Sequence, residues 1–291
     1  MIVISCSHGV HLGHKIARQL GAPHSELSVK KFPDDELLIR FNADLKEKSV
    51  VLIQSFYQNI SDCIVEVMLA SETARDLGAK KIILIAPYFP YLRQDKRFHK
   101  GESVSQKIIA GLFDKYFDGI LVIDPHLHRK MSLSQIFRVK AAKLTANSLL
   151  ADYIKKHVKN PVIIGPDEES YKWARMVARQ IGAESRILAK KRYSSYKVAV
   201  NLNKKIDLKG KNAVIVDDIV STGHTIIEAA KLLQRLGAKN IYCICVHGIF
   251  ANGALQKLQK NKINVVSTNT IPNKATKIDV CRLFGDAINL G

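Results

Sequence analysis

Val214-Ile215-Val216-Asp217-Asp218-Ile219-Val220-Ser221-Thr222-Gly223-His224-Thr225 is the stretch on which the reading of this chain turns. Val214 to Asp217 read as a short buried strand ending in two adjacent carboxylates, Asp217 and Asp218. A small hydroxyl-rich turn, Ser221 to Thr225, comes next, and Ile226 to Leu236 carry apolar residues at helical spacing. Such a strand, turn and helix aim backbone N–H groups and the hydroxyls of Ser221, Thr222 and Thr225 at an anion, and the helix start adds its dipole. Gly223 permits positive φ and a close approach of backbone to ligand. Asp217 and Asp218 stand where they can accept hydrogen bonds from vicinal hydroxyls or hold a hard cation. An acidic pair alone marks a solvated turn; joined to this turn and helix it points to a phosphorylated sugar.

The 291 residues suit two domains, each large enough to bury a core. A 47% hydrophobic content is ordinary for a globular protein and excludes a disordered one. The strongest apolar run, Ile82 to Ala86, is cut by Pro87 and Pro90, so no membrane span is expected. The start, Ile2-Val3-Ile4, reads as a strand without a signal peptide's basic and apolar regions, and a cytoplasmic location is the expectation. The five cysteines are odd in number and sit in apolar segments. Cys243 and Cys245 alternate on one strand face without zinc-site spacing, so reduced buried thiols are expected. A net charge of +19 raises nucleic acid as a partner. The lysines are scattered and no aromatics interleave with them, so polyanionic small ligands are the better match and no nucleic acid is expected.

The chain is also written twice. Ala17-Arg-Gln-Leu-Gly-Ala22 recurs as Ala178-Arg-Gln-Ile-Gly-Ala183, 161 residues on. Gly78-Ala-Lys-Lys-Ile82 recurs as Gly237-Ala-Lys-Asn-Ile241, 159 on, and Val51 to Ser55 hold the place of Val214 to Asp218, 163 on. Three pairs in one order at nearly one offset mark a duplication. Each half is expected to alternate strands and helices around a mostly parallel sheet flanked by helices. The expected boundary falls near residues 143–160, giving domains 1–145 and 146–291. The first half has Gln54-Ser55 in place of the acidic pair, so the two halves serve different ligands.

Further constellations follow other expected strands. Arg93-Gln94-Asp95, within Pro87 to Arg97, sets a guanidinium, an amide and a carboxylate where open α/β sheets bind ligands; as a lone string it is equally a solvated loop. Asp124-Pro125-His126 ends the expected strand Gly119 to Ile123, and His126 suits a phosphate or metal contact, or else packing; His128 is the weaker candidate. Phe32-Pro33-Asp34-Asp35-Glu36 precedes a strand, Leu37 to Phe41, with acids for an adenine amine or ribose, or simply for a turn. Asp167 follows the strand Val162 to Ile164 at a helix start, as a cap or as a ligand for magnesium or ribose. Lys190-Lys191-Arg192-Tyr193-Ser194-Ser195 reads as a basic loop, either solvated or closing over phosphoryl groups.

Taken together, these segments resemble the ribose-phosphate pyrophosphokinase (PRPP synthase) family over nearly the whole chain. Phe32 to Glu36, Tyr91 to Arg97, Asp124 to His126, Gly165 to Asp167, Ala189 to Arg192 and Val216 to Thr225 match six of its motifs in order. Plain phosphoribosyltransferases carry only the last motif, on a single domain. The resemblance implies two tandem type I phosphoribosyltransferase-like α/β domains, with ATP on the first and ribose 5-phosphate on the second. It implies adenine contacts from Phe32, Asp34 and Glu36 (from a neighbouring subunit), and ATP contacts from Arg93, Gln94, Asp95 and His126. His126 and Asp167 would position Mg2+ and the polyphosphate, Lys190 and Arg192 would close over the transferring group as catalytic residues, and Asp217, Asp218, Ser221, Thr222, Gly223, His224 and Thr225 would grip ribose 5-phosphate. A homo-oligomer, dimer or hexamer, is also implied. Alternatives are a non-catalytic regulatory relative and a phosphoribosyltransferase. Asp35 and His224 stand where the family has glycine, Gly101 to Ser105 lack its usual arginine, and the string after His128 differs.

Overall fold

The computed structural model describes residues 1–127, 132–192, 198–202, 208–285 and 287, with the side chains of 168, 169, 189–192 and 198–202 left aside. It divides into two compact units. One holds Met1–Thr145 together with the segment beginning at Val280, and the other is Ala146–Asp279. The second unit therefore ends at Asp279 instead of running on to residue 291. The physical reason is that the turn Cys281–Phe284 buries Cys281 and Phe284 and packs on a helix near the N-terminus, Val10–Gln19.

In the first unit β1 (Ile2–Ser5), α1 (Val10–Gln19), β2 (His24–Glu26), β3 (Ser28–Lys31), β4 (Leu37–Arg40), β5 (Ser49–Ile53), α2 (Ile60–Asp76), β6 (Lys81–Ala86), α3 (Ser105–Tyr116), β7 (Gly119–Ile123) and β8 (Lys140–Leu144) follow in turn. Six strands form one all-parallel sheet in the order β2-β1-β5-β6-β7-β8, while β3 and β4 pair as a separate antiparallel hairpin. Parallel strands covered on both faces need unbroken apolar runs, and Val50 to Ile53, Ile82 to Ala86 and Ile120 to Ile123 supply them. Phe56, Phe89 and Phe113 fill the same core with edge-on and tilted ring contacts, Phe89 and Phe113 having centroids 4.9 Å apart.

The second unit runs α4 (Asn147–His157), β9 (Pro161–Gly165), α5 (Glu168–Ile181), β10 (Glu184–Arg192), β11 (Val198–Leu202), β12 (Asn212–Val220), α6 (His224–Arg235), β13 (Asn240–Gly248), α7 (Ala254–Lys260), β14 (Ile263–Thr268) and β15 (Thr276–Ile278). Its sheet has the order β11-β10-β9-β12-β13-β14-β15, parallel throughout except at the β10–β11 edge. The five cysteines are free and buried, and Cys243 and Cys245 share the core under β13.

The duplication is visible in the backbone. Gly78 and Gly237 both lie at φ +84, one residue past the C-caps of α2 and α6. Beside them Ala79 N–H donates to Ala74 O and Ala238 N–H donates to Leu233 O, the same helix-closing bond in each half. Ala22 and Ala183 likewise donate to Ala17 and Ala178. Two expectations change. The strand expected over Val214 to Asp217 runs from Asn212 to Val220, because pairing with β13 continues past the acids, Asp217 opposite Cys245 and Val220 opposite Gly248. Lys190 to Arg192 form strand, not loop: they pair antiparallel with β11, Lys190 opposite Val200 and Arg192 opposite Val198. Tyr193, Ser194, Ser195 and His128 lie outside the described residues.

Candidate functional site

In the second unit, β9 and β12 are parallel neighbours, so their C-terminal ends open on the same edge of the sheet. The chain winds from β9 outward to β10 in one direction and from β12 to β13 in the other, which makes this the switch point where such sheets form a crevice. Asp167, just past β9, caps α5 from an extended conformation, and its Oδ1 accepts the Ser170 N–H at 2.9 Å. The Ser170 hydroxyl in turn donates to Asp217 Oδ1 at 2.7 Å. Asp217 Oδ1 also accepts the N–H of Asp218 at 3.0 Å, and Asp218 Oδ1 that of Ile219 at 2.8 Å. Asp218 is buried and Asp217 half-buried. Burial pushes the Asp217 carboxyl well above the usual carboxylate range, the adjacent Asp218 pushes it further, and the Ser170 hydroxyl works against that rise. Acids crowded in this way are stabilised by a cation or by hydroxyl donors.

Val220 is held by two amides from the end of β13, Ile249 N–H and Phe250 N–H, at 3.0 and 3.1 Å from its carbonyl. The chain then turns through Ser221 and Thr222 to Gly223, which caps α6 at φ +72. A side chain at 223 would be strained by that φ and would press on Leu258 Cγ at 3.3 Å. His224 is the first helical residue, so helical backbone serves at the position where the family has its second glycine. The first turn of α6 has no acidic residue, and the positive end of its dipole lies at the 221–223 turn. Thr225 lies in that same turn.

In the first unit β6 and β7 are neighbours, and both expected ATP segments follow their C-terminal ends. Arg93 is exposed, with Gln94 and Asp95 half-buried. Gln94 is oriented by the start of α3: its Oε1 accepts the Ser105 hydroxyl at 2.6 Å and its carbonyl accepts the Gln106 N–H at 3.2 Å. His126 is half-buried, two residues beyond Asp124, which is 2% exposed and sits at φ +34. Phe32 to Glu36 form the exposed tip of the β3–β4 hairpin, closed by Phe32 N–H to Glu36 O at 2.8 Å. Asp35 there adopts φ +70, the conformation for which glycine is suited. Lys190 and Arg192 fall on the β10–β11 ribbon.

Asp167, Asp217 and Asp218 are thus drawn together beside the 221–225 turn. Ser170, which links the first two, was missed, although Asp167-x-x-Ser170 has the spacing of a cap and the residue whose amide it receives. Also missed was a buried group in the first unit. Glu66 accepts Ser7 N–H at 2.7 Å, the Ser7 hydroxyl at 2.5 Å and Gln54 Nε2 at 3.1 Å, and Gln54 Oε1 accepts His8 N–H at 2.8 Å. Among the described residues no set of three or more His, Cys, Asp and Glu is arranged to hold a metal ion. The carboxylate oxygens at Asp167 and Asp217 still fit a cation such as Mg2+, which takes one or two carboxylates and completes its shell with substrate phosphates and water.

Residues 1–116 match the family model described as the N-terminal domain of ribose phosphate pyrophosphokinase, and residues 132–284 match the phosphoribosyl transferase domain. A Methanopyrus kandleri protein named ribose-phosphate pyrophosphokinase is 34% identical over 291 residues, 99% of this chain and 98% of that one. A protein of the same name from Methanothermobacter thermautotrophicus is 35% identical over 289 residues, 99% of each. The fold is that of the crystal structure of phosphoribosylpyrophosphate synthetase from Mycobacterium smegmatis, with a TM-score of 0.85 at 24% identity, covering 98% of this chain and 96% of that one.

Proposed function

The chain belongs to the ribose-phosphate pyrophosphokinase family, and from that premise we propose that it converts ATP and D-ribose 5-phosphate to AMP and 5-phosphoribosyl 1-diphosphate. The anomeric hydroxyl oxygen of the sugar bonds to the β-phosphorus and gives up its proton to solvent, while the bond from that phosphorus to the α,β-bridging oxygen breaks and AMP leaves with the electron pair. Transfer of this kind depends on in-line placement and neutralisation of charge, with little covalent work for the protein.

The observation that carries the reading is the acidic crevice at β9 and β12 joined to the glycine-capped start of α6. Asp217 and Asp218 accept hydrogen bonds from the ribose hydroxyls, while Ser221, Thr222, Gly223, His224 and Thr225 surround the 5-phosphate with amides and hydroxyls. Phe32, Asp34 and Glu36 hold adenine, and Arg93, Gln94, Asp95 and His126 hold the remainder of ATP. Lys190 and Arg192 balance the charge growing on the transferring oxygens. Asp167 and His126 are the residues for Mg2+ and the polyphosphate, and the ion when bound draws charge from the phosphate oxygens. The enzyme works as a homo-oligomer, a reading supported by the exposed apolar side chains Val65 and Leu69 on α2 and Ile108 on α3. No helix among the described residues is long and apolar enough to cross a membrane.

The test is AMP release from ATP and Mg2+ by the purified protein, with and without ribose 5-phosphate. AMP formed together with 5-phosphoribosyl 1-diphosphate, only when the sugar is present, is the expected result. Nucleotide bound but never turned over would overturn it in favour of a regulatory relative.

A further inference from the structure

We infer that Ser170 is a positioning residue that joins the two acidic corners of the second-unit crevice into one hydrogen-bonded unit, setting the carboxylate of Asp217 for the sugar. This deepens the reading above and rests on it. Ser170 is 4% exposed, in the first turn of α5, with both of its donors engaged. Its N–H holds Asp167 Oδ1 at 2.9 Å and its hydroxyl holds Asp217 Oδ1 at 2.7 Å. Asp167 and Asp217 are 50 residues apart in sequence, the first just past β9 and the second inside the neighbouring strand β12. One serine between them therefore fixes the spacing of groups whose mutual repulsion would otherwise spread them.

The hydroxyl has a second consequence. Asp217 Oδ1 accepts both the Asp218 N–H and the Ser170 hydroxyl, and two donors on one oxygen fix the orientation of the carboxylate that the sugar would meet. Without the Ser170 donor the carboxylate loses its rotational anchor. Asp167 keeps its amide donor in any variant with a side chain change alone, so the two halves of the link can be separated.

Ser170→Ala removes the hydroxyl and leaves the amide. The expected result is a rise of about ten-fold in KM for ribose 5-phosphate, the scale of one hydrogen bond to a charged group, with KM for ATP within about two-fold. The thermal shift that ribose 5-phosphate produces in the absence of ATP should shrink in parallel, a readout independent of turnover. A double-mutant cycle excludes a merely structural role: on the Asp217→Ala background, where the hydroxyl has no acceptor left, Ser170→Ala should change kcat/KM for the sugar by less than about two-fold. Equal losses on both backgrounds, or equal rises in the two KM values, would overturn the inference. So would an unchanged KM for the sugar in an active wild-type comparison. If wild type itself shows no sugar-dependent AMP release, it is the proposed reaction that fails. Should the alanine variant be too unstable to assay, Ser170→Cys, close in size with a far weaker donor, must show the same selective rise, and a normal sugar KM there would count against the inference.

Discussion

The two units share a strand order around their switch points and differ in the chemistry placed there. At the ends of β9 and β12 the second unit gathers Asp167, Asp217 and Asp218 around a single serine hydroxyl. At the ends of β1 and β5 the first unit has Ser7, Gln54 and Ser55, and supplies its acid, Glu66, from inside α2. Glu66 is 2% exposed and receives three donors, so the first crevice is satisfied from within. In the second, Asp217 and Asp218 crowd one another, and burial together with that crowding raises the Asp217 carboxyl above its ordinary range.

The largest difference is expected between the two antiparallel strand pairs, β10–β11 and β3–β4. Lys190→Ala, on β10, should lower turnover by about two to four orders of magnitude with smaller effects on binding. Lys31→Ala, at the matching end of the β3–β4 hairpin, removes exposed ion pairs to Asp35 and Asp62 and should change turnover less than about two-fold. Steady-state kinetics on both variants checks the pair; similar losses would put the two ribbons on the same footing.

Stability should break the other way. Glu66→Ala leaves buried donors on Ser7 and Gln54 without their acceptor and should cost about 2–4 kcal/mol in urea unfolding, with KM for ribose 5-phosphate unmoved. Gly223→Ala is smaller, about 1–2 kcal/mol from forcing an L side chain into φ +72, and because it deforms the turn it should also raise that KM. A rise in sugar KM from Glu66→Ala would mean that the first crevice takes part in binding.

The smallest effect is one of pH. The folded-state pKa of Asp217 lies above its unfolded value, so the protonated folded form is favoured: the associated stability is present at low pH and lost as pH rises through the raised value. Ligand-free protein should therefore lose stability across that window, and Asp217→Asn should flatten that part of the profile. Thermal melts of both proteins, without sugar or divalent ion, measure the difference. An Asp217→Asn profile as steep as wild type would show that this carboxyl is not strained.

Much of this was legible because buried parallel strands write themselves as short apolar runs, and because Gly78 and Gly237 repeat the same helix closure. Asp217 and Asp218 hid the true length of β12: aspartate is a poor strand former, and the pairing with β13 that carries it onward is a matter of neighbours. Lys190 to Arg192 hid a strand because it is their antiparallel pairing with Val198 to Val200 of β11 that makes them one. Asp35 and His224 both departed from the family's glycines, yet only Asp35 adopts positive φ; which departure strains the backbone is a property of φ and cannot be read from residue type. The Glu66 group joins Ser7 to a residue 59 positions away, and no local pattern announces such a bond.

The central claim, one working sugar site from two copies, is tested most directly by calorimetric titration of ribose 5-phosphate in the presence of Mg2+. Wild type, Glu66→Gln and Asp217→Asn would be compared. One molecule per chain, kept in Glu66→Gln and abolished or greatly weakened in Asp217→Asn, is the predicted result. Two molecules per chain, or binding lost in Glu66→Gln and kept in Asp217→Asn, would contradict it.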